Sequence, residues 1–536
     1  MLIKQVLQNI VERKEIFGMI PIEQYTEEKN KLLNFCRSHK RIYLYGAGCY
    51  GQRYLRILQH NGIPVLGFIT TEAEKNENCG FPVWGVKDIC ISVTEQDGII
   101  PAFLGVVLEE IRKYFIFEKP DILEFDNRII GMMEQELQLF PYVEKLKRRF
   151  PLQGTPKNYG KWKNLLIIRL DVIGDVVCTT AFIRELKRNF PQASISMVIR
   201  KPNEPLLRNC PYIDHLFLYE SEASDIGILQ EVENFEAISE KVLNFMDACL
   251  DGIDFDAVFL PREVLCGRNK LEEFLMVFYS KAGFRFGRLI AFDWYKSWVY
   301  YMVRDAFTEL FGQTEPMHET LFQLDMLKRL GLEVKDDRLE LWINSKERET
   351  AQEIYKINNV KGEDELIAIG LVGSLPVKNW KIENYRNLIE RFYQKPGSRY
   401  KFVLFGGKDA MDAADQLMED APEIIINLTG KLALDVTVAC MECCKLYVGS
   451  NTGLLHIATG LDKPSVTLYM ALQDTGDVYG SGPCRWGSRR EDSIDLLPPA
   501  GLDGCYGVCR KKYAHCINQI TPAQVAEAIE SILEPS

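Results

Sequence analysis

The stretch from Leu446 to Tyr469, LYVGSNTGLLHIATGLDKPSVTLY, decides the fold class of this 536-residue chain. The apolar run at its start predicts a buried strand, Leu454 to Leu461 predict a helix, and Ser465 to Tyr469 predict a second strand. Asp462-Lys463-Pro464 ends the predicted helix. The stretch therefore predicts a β-α-β unit, the repeating element of a parallel α/β sheet.

The turn inside this unit predicts an anion site. Thr452 and Gly453 would begin the helix directly after the carboxyl end of a strand, where backbone N–H groups and the helix dipole favour a phosphate. His456 lies one turn further and could reach the same ligand. The alternative is a packing unit without a ligand, in which His456 is an ordinary buried histidine, and both readings stay open at this point.

The spacing of the stretch also resembles a known family. From Ser450 to Tyr469 the pattern is S-x-T-G-x-x-H-x-A-x-x-x-x-x-P-x-x-x-L-Y. It resembles the donor-binding signature of glycosyltransferase family nine, the ADP-heptose:lipopolysaccharide heptosyltransferases. The resemblance extends over roughly residues 164–533 and implies a GT-B fold, in which two Rossmann-like half-domains face a cleft.

The resemblance assigns roles to two residues. Asp175, in a Gly-Asp-Val turn after a predicted strand, matches the family's proposed catalytic base, although an aspartate there could also only cap a helix. Lys378, in a K-x-W motif, matches a lysine on the donor phosphates, and its alternative reading is a surface lysine. The turns implied to bind the donor contain Gly373, Ser374, Thr429, Gly430, Asn451, Thr452, Gly453 and His456.

One of these residues departs from the family pattern. Many members have aspartate where this chain has Asn451. An amide can hydrogen-bond a sugar or a ribose but supplies no charge. The resemblance therefore defines the identity of the donor less firmly than it defines the fold.

Composition and linker residues predict three domains in an α/β protein. Residues 1–150 form a predicted N-terminal Rossmann-like domain with additional helices. Residues 161–345 form the acceptor-side half of the GT-B fold, and residues 346–536 form the donor-side half with a cysteine-rich tail. The turn-rich segment 151–160 is the predicted linker between the first two domains.

The N-terminal domain contains a second candidate nucleotide loop. Gly46, Gly48 and Gly51 form G-x-G-x-x-G between a predicted strand and a predicted helix. A dinucleotide-binding unit usually has an acidic residue at the end of its second strand, and this chain has Thr70-Thr71 there. Nucleotide binding and a structural or regulatory role are both compatible with this pattern.

Net charge and hydropathy limit the classes of partner. The formal net charge is −11, which argues against a nucleic-acid partner because phosphate backbones need clustered Lys and Arg. No signal peptide is visible, and no apolar run of about 18 residues predicts a transmembrane helix. We therefore expect a cytoplasmic protein, and peripheral contact with a membrane stays open.

The cysteines predict reduced thiols and one candidate metal site. The chain has 15 cysteines, most of them scattered along the sequence and seven of them in predicted helices or helix starts. The tail groups Cys484, Cys505, Cys509 and Cys516, and some family relatives bind iron at this place. Four thiolates could hold zinc or iron, and a disulfide or free thiols are the alternatives.

The segments between these motifs predict helices. The aromatic-rich region 269–311 predicts apolar helices, and His318-Glu319 begins a predicted helix that reaches about Leu330. No chemistry is assigned to either segment.

Taken with the resemblance, these patterns favour an inverting transfer of a sugar. The implied donor is ADP-heptose, and the acceptor is a hydroxyl on a glycan, a lipid-linked molecule or a protein. The transfer itself needs no metal or cofactor. The alternatives are an NAD-dependent sugar-modifying enzyme that uses the loop at Gly46, and a non-catalytic protein that binds nucleotide sugars.

Overall fold

The structure is a computed structural model of the whole chain. It describes residues 22–47, 49–71, 81–90, 92–102, 111–115, 120–125, 128–153, 161–221, 234–250, 252–265, 270–290, 303–313, 317–373, 375–397, 399–419, 423–470, 482–499 and 514–534.

The first sheet has five parallel strands in the order β3-β2-β1-β4-β5. This order places the glycine-containing turn at the end of the central strand. The elements are α1 (Ile22–Ser38), β1 (Arg41–Tyr45), α2 (Cys49–His60), β2 (Gly67–Thr70), β3 (Val83–Gly85), α3 (Val86–Ile89), β4 (Asp97–Pro101), β5 (Asp121–Ile122) and α4 (Arg128–Arg149).

The second sheet has six strands in the order β11-β10-β9-β6-β7-β8, and the pairs from β10 to β8 are parallel. Its elements are β6 (Asn164–Arg169), α5 (Ile173–Cys178), α6 (Thr180–Asn189), β7 (Ser194–Arg200), α7 (Glu204–Leu207), β8 (His215–Tyr219), α8 (Phe235–Leu250), β9 (Ala257–Glu263), α9 (Lys270–Tyr279), β10 (Phe284–Ile290), β11 (Glu309–Gln313) and α10 (Glu319–Arg329).

The third sheet has six parallel strands in the order β14-β13-β12-β15-β16-β17. Its elements are α11 (Ser345–Ile357), β12 (Glu365–Gly370), α12 (Ile382–Tyr393), β13 (Tyr400–Phe405), α13 (Met411–Met418), β14 (Ile425–Asn427), α14 (Leu434–Glu442), β15 (Leu446–Ser450), α15 (Gly453–Gly460), β16 (Ser465–Leu468), α16 (Pro483–Trp486), β17 (Ile494–Leu496) and α17 (Pro522–Leu533).

The expectation of apolar helices in residues 269–311 is wrong for two of the described segments. Among the residues described there, α9 is an apolar helix, whereas β10 and β11 are strands of the second sheet. The sequence of β10, FRFGRLI, alternates aromatic and basic residues with the period of a strand. The arginines Arg285 and Arg288 are buried inside the half-domain, so their charge did not mark a surface.

The chain divides into two compact units. One comprises residues 1–151, 227–236 and 290–306, and the other comprises residues 152–226, 237–289 and 307–536. The second unit contains the second and third sheets, and one buried apolar cluster joins them. In that cluster Val176 and Val177 of α5 lie with Leu455 and Ile457 of α15. Within the described residues, no helix has the length and hydropathy needed to cross a membrane.

Candidate active site

The turn after β15 is preceded by Gly449, a position whose surroundings require glycine. Gly449 has φ +159°, and a Cβ there would lie 2.6 Å from the Tyr447 hydroxyl. That hydroxyl donates to the Ser450 carbonyl at 3.0 Å. Thr452 is the N-cap of α15, and its side chain accepts from the Leu454 amide at 3.3 Å. The helix therefore starts at Gly453, at the carboxyl end of the strand.

The loop that carries Lys378 is held against this turn. The Ser450 hydroxyl donates to the Lys378 carbonyl. Trp380 is buried and donates from Nε1 to the Ile520 carbonyl at 2.9 Å, which anchors the loop to the core. A Cβ on Gly373 would lie 3.2 Å from Lys378 Cβ and 3.4 Å from Thr452 Cγ2. Gly373, Lys378 and Thr452 are therefore neighbours, whereas Ser374 lies outside the described residues.

His456 is buried one turn into α15. Burial lowers its pKa to about 4, and the nearby positive charge of Lys378 adds to this effect. Its Nδ1 lies 3.5 Å from Cys178 Sγ, and its ring meets Trp486 edge-on at 5.8 Å. The ring is therefore neutral at pH 7, and Lys378 is close enough to influence it.

Asn451 and the turn after β14 complete the predicted donor side. Asn451 is buried beside the cap of α15. Thr429 and Gly430 follow β14, where Gly430 has φ +69° and the Thr429 amide donates to Asn427 Oδ1 at 3.0 Å. Thr429 is buried, and its hydroxyl has no hydrogen-bond partner among the described residues. Both turns lie at the carboxyl ends of strands in one sheet.

The two half-domains meet at a tight seam between α5 and α15. A Cβ on Gly174 would lie 2.6 Å from His456 Cδ2. A Cβ on Gly453 would lie 3.0 Å from Ile173 Cβ. The two helices therefore approach at their first turns, where a Cβ on Gly174 would collide with His456 and a Cβ on Gly453 would be crowded by Ile173.

This contact predicts the effect of a methyl group at the seam. Gly174→Ala should force α5 away from α15 and lower the free energy of unfolding by about 1–3 kcal/mol, the range for overpacking. Urea unfolding measures the loss. Gly362→Ala is the matched control because a Cβ there would have nothing within 4 Å. Equal unfolding midpoints for the two variants would contradict a tight seam.

Asp175 lies in the first turn of α5, next to the seam. Its Oδ1 accepts from Arg169 Nη2 at 3.0 Å, and 22% of its side chain remains exposed. Burial raises its pKa to about 7, and repulsion from Asp171 adds to the rise, whereas the charge of Arg169 opposes it. A carboxylate of this pKa can accept a proton near neutral pH.

Behind Asp175 lies a buried charge network that no motif in the sequence predicts. Arg169 Nε lies 3.0 Å from Asp171 Oδ2. Arg262 Nη1 lies 2.7 Å from Asp171 Oδ1 and 2.6 Å from Glu273 Oε2. Glu319 binds Arg288 through both of its oxygens and lies 3.4 Å from Arg169 Nη2. These ion pairs hold the Arg169 side chain in place, and Arg169 is the residue that donates to Asp175.

One signal in the sequence could have revealed this network. Arg169, Arg262 and Arg288 lie near the carboxyl ends of β6, β9 and β10, which are neighbours in the second sheet. Ligand sites of parallel sheets lie at that edge. The signal was hidden because β10 was expected to be helical. The predicted helix at His318-Glu319 was correct, and its first residue, Glu319, belongs to the network.

A sequence profile described as glycosyltransferase family 9 (heptosyltransferase) matches residues 275–475. The chain contains a glycosyltransferase family 9 domain. It is a glycosyltransferase, and the family implies a nucleotide-sugar donor. The lipooligosaccharide heptosyltransferase 2 of Haemophilus ducreyi is 23% identical to this transferase over 69% of this chain and 99% of its own length. Other curated relatives match over 43% of their own length.

Solved structures confirm the GT-B fold of the transferase. The family 9 glycosyl transferase of Veillonella parvula superimposes with a TM-score of 0.57 at 20% identity, over 72% of this chain and 100% of its own. The Escherichia coli ADP-heptose lps heptosyltransferase II superimposes with a TM-score of 0.50 at 17% identity, over 69% of this chain and 98% of its own.

Two of the three glycines in the loop of the N-terminal domain are described. Gly46 follows β1 with φ +114°, and a Cβ on Gly51 would collide with the Gly46 carbonyl. Gly48 lies outside the described residues. Tyr45 and Thr71 lie at the ends of β1 and β2, with their hydroxyl oxygens 3.4 Å apart. Nucleotide binding by this loop of the transferase stays a prediction.

The cysteine cluster of the transferase is only partly described. Cys505 and Cys509 lie outside the described residues. Cys484 is exposed, whereas Cys516 is buried with its Sγ 2.9 Å from His515 Nδ1. Among the described residues, no group of three or more His, Cys, Asp or Glu could hold a metal ion. A zinc or iron site at the four cysteines therefore stays a prediction.

That prediction has a direct measurement. If the four thiolates share an ion, each sulfur lies about 2.3 Å from it, and purified protein should contain close to one zinc or iron per chain. Cys505→Ser should remove most of that metal. Cys443→Ser is the control, since Cys443 is an exposed thiol on another element. Less than about 0.1 metal per chain in the parent protein, purified without chelators, would exclude a resident ion.

Proposed function

We propose that this transferase moves a heptose-type sugar, with inversion, from ADP-heptose to a hydroxyl on a glycan, a lipid-linked molecule or a protein. The observation that carries the proposal is the seam. Asp175 lies in the first turn of α5 and Gly453 begins α15, and these first turns are in contact through Gly174 and His456. This contact supports the proposal because it brings the proposed proton acceptor next to the proposed anion site.

The donor side would bind the diphosphate. Gly453 begins α15, and the positive end of the helix dipole favours an anion there. Lys378 lies on the adjoining loop, and its positive charge is close enough to lower the pKa of His456. As the bond to the sugar breaks, negative charge grows on the departing diphosphate, and these groups stabilise it. Because the positive charge is built into the protein, the proposed transfer requires no metal ion.

The acceptor side would supply the base. Asp175 would remove the proton of the acceptor hydroxyl while its oxygen attacks the anomeric carbon, from the face opposite the diphosphate. One displacement of this kind inverts the anomeric configuration. Because burial raises its pKa to about 7, this carboxylate is a stronger base than an exposed aspartate and can accept the proton near neutral pH.

The same proposal places the reaction in the cytoplasm. Cys178 at the seam and the exposed Cys443 are thiols outside any disulfide. Free thiols persist in reducing compartments. Oxidation of Cys178 would also disturb its contact with His456.

Products from a panel of nucleotide sugars test the proposal. The parent protein is incubated with ADP-heptose, other ADP-sugars and UDP-sugars, each with neutral glycan, lipid-linked and peptide acceptors. Mass spectrometry should detect an added heptose only with ADP-heptose, and NMR should show an inverted anomeric centre. A retained configuration would remove Asp175 from the proposed role. Binding of ADP-heptose without any product would favour a non-catalytic binding protein.

The NAD-dependent alternative is tested on the same protein. The observation in favour of this alternative is that Gly46 follows β1 with φ +114°, between a strand and a helix, where dinucleotide-binding units have their phosphate loop. Quenching of nicotinamide fluorescence on addition of protein, abolished by Gly51→Val, would support it. Gly362→Val is the control, because a Cβ on Gly362 would have nothing within 4 Å, whereas Gly283, for example, packs against Gln153.

A further inference from the structure

A short helix of the donor half lies against the charge network of the acceptor half. Arg485, on α16, places Nη2 2.8 Å from Glu263 Oε1 and 3.2 Å from Glu319 Oε2. Its guanidinium also lies over the Trp486 ring, 5.0 Å from the centroid. The Arg485 side chain is only 17% exposed, so water screens these ion pairs weakly.

A second contact holds the same helix at the same place. His318 Nδ1 accepts from the Thr320 amide at 3.1 Å, so the ring proton lies on Nε2. That nitrogen donates to the Gly487 carbonyl at 2.9 Å. Burial lowers the pKa of His318 to about 3, which keeps the ring in this neutral form. His318 and Glu319, at the start of α10, therefore both bind the segment around α16.

From α16 two routes lead to the surroundings of Asp175. The electrostatic route runs from Arg485 to Glu319, whose other oxygen lies 3.4 Å from Arg169, the partner of Asp175. The packing route runs from Trp486 to the edge of His456, whose ring lies against Gly174, the neighbour of Asp175.

We propose that Arg485 is a positioning residue, which couples the donor half to the base through Glu319 and Arg169. The inference rests on the proposed role of Asp175 as the base. Arg485 neutralises one oxygen of Glu319. Without Arg485, the negative charge of Glu319 would act more strongly on Asp175 and favour the protonated carboxyl. The donor half thus sets how much of the base is ionised at neutral pH.

The groups that face Asp175 come from several elements, so the effect of Arg485 must be separated from theirs. The charged members act on the same carboxyl, His456 and the Cys178 thiol are neutral neighbours, and Arg485 is the member on α16. The groups are Arg169 and Asp171 at the end of β6, Cys178 of α5, Arg262 of β9, Glu319 of α10, His456 of α15 and Arg485 of α16.

Arg485 is the member of the network best suited to substitution. Glu319 is 2% exposed, and its removal would leave Arg288 and Arg169 without their shared partner, a change that usually destabilises a protein strongly. Arg485→Gln keeps much of the volume and leaves Glu319 with Arg288. Arg485→Lys keeps the charge and serves as the variant of lower risk.

The experiment is the dependence of kcat/KM on pH. The acidic limb of Arg485→Gln should move upward by about 0.5–1.5 pH units, the size expected for losing one charge at intermediate dielectric. The rate should therefore fall about 3- to 30-fold at pH 6 and return to within about twofold of the parent above pH 9. Arg485→Lys should restore most of the shift. Arg489→Gln is the matched control, because Arg489 pairs with Asp337 at the surface.

A purely structural role would give a different result. It would lower the rate by the same factor at every pH, or leave Arg485→Lys as impaired as Arg485→Gln, and either outcome overturns the inference. Titration of ¹³C-labelled Asp carboxyls by NMR, with Asp175→Asn to assign the signal, measures the same pKa without any substrate. If the parent protein transfers no sugar, the proposed function fails. If the Asp175 pKa is unchanged in Arg485→Gln, the inference alone fails.

Discussion

Asp175→Asn is expected to lower turnover by about 10² or more, the usual effect of losing a general base. Asparagine has nearly the same shape but cannot accept the proton of the acceptor hydroxyl. Folding should be retained, because Arg169 keeps its contacts with Asp171 and Glu319. Donor affinity should also be retained, because the proposed donor contacts come from the other half-domain. Steady-state kinetics and equilibrium binding of ADP measure the two quantities separately.

The pH dependence gives an independent check on the same residue. The pKa of Asp175 is raised to about 7, and the ionised form is the active base. Activity of the parent should therefore be present above pH 7 and fall about tenfold per pH unit below it. Asp214→Asn is the matched control, since Asp214 pairs with Lys187 before β8, at the opposite edge of the sheet. Turnover of Asp175→Asn within a few-fold of the parent would exclude Asp175 from the mechanism.

The donor side could be predicted from the sequence because its determinants are local. Leu446 to Tyr469 contain both strands, the helix and the turn, and each of these elements follows from neighbouring residues. The helix start at Gly453 and the cap at Thr452 lie where the turn predicted them. The Lys378 loop was placed by its motif, and the buried Trp380 explains why that motif keeps the loop in position.

The charge network could not be predicted from the sequence because its determinants are distant from one another. Arg169, Arg262, Arg288 and Glu319 are separated by up to 150 residues, and only the sheet order makes them neighbours. Charged residues in a sequence are usually read as surface, since burial of an unpaired charge costs several kcal/mol. In this network each charged side chain has a partner of opposite charge, so these charged residues do not mark a surface.

The contact between the half-domains at the seam could not be predicted from the sequence either. In the sequence, Gly174 belongs to the Gly-Asp-Val turn of Asp175, and Gly453 belongs to the predicted helix start. In the structure neither has a positive φ, and what both provide is the absence of a Cβ at a helix-to-helix contact. The sequence contains no pattern that pairs one glycine with the other, because the contact depends on how the two half-domains pack.

Substitution of Lys378 tests the proposed donor site. Lys378 lies beside Thr452, and its positive charge contributes to the lowered pKa of His456. If the diphosphate binds here, it gains a charge-assisted hydrogen bond from the ammonium group. The NMR signals of His456, one of six histidines in the chain, should also respond to ADP, and its pKa should rise when Lys378 is removed.

Lys378→Ala should weaken ADP binding by about 1.5–3 kcal/mol, the range for hydrogen bonds to charged groups, which is a factor of about 10–150 in Kd. Isothermal titration calorimetry measures the change. Lys381→Ala is the matched control, because Lys381 is an exposed lysine three residues away, at the start of α12. The loss should vanish for adenosine, which has no phosphates. If ADP binds Lys378→Ala as tightly as the parent, or if Gly51→Val abolishes ADP binding instead, the diphosphate does not bind at the start of α15, and the proposed mechanism loses its donor site.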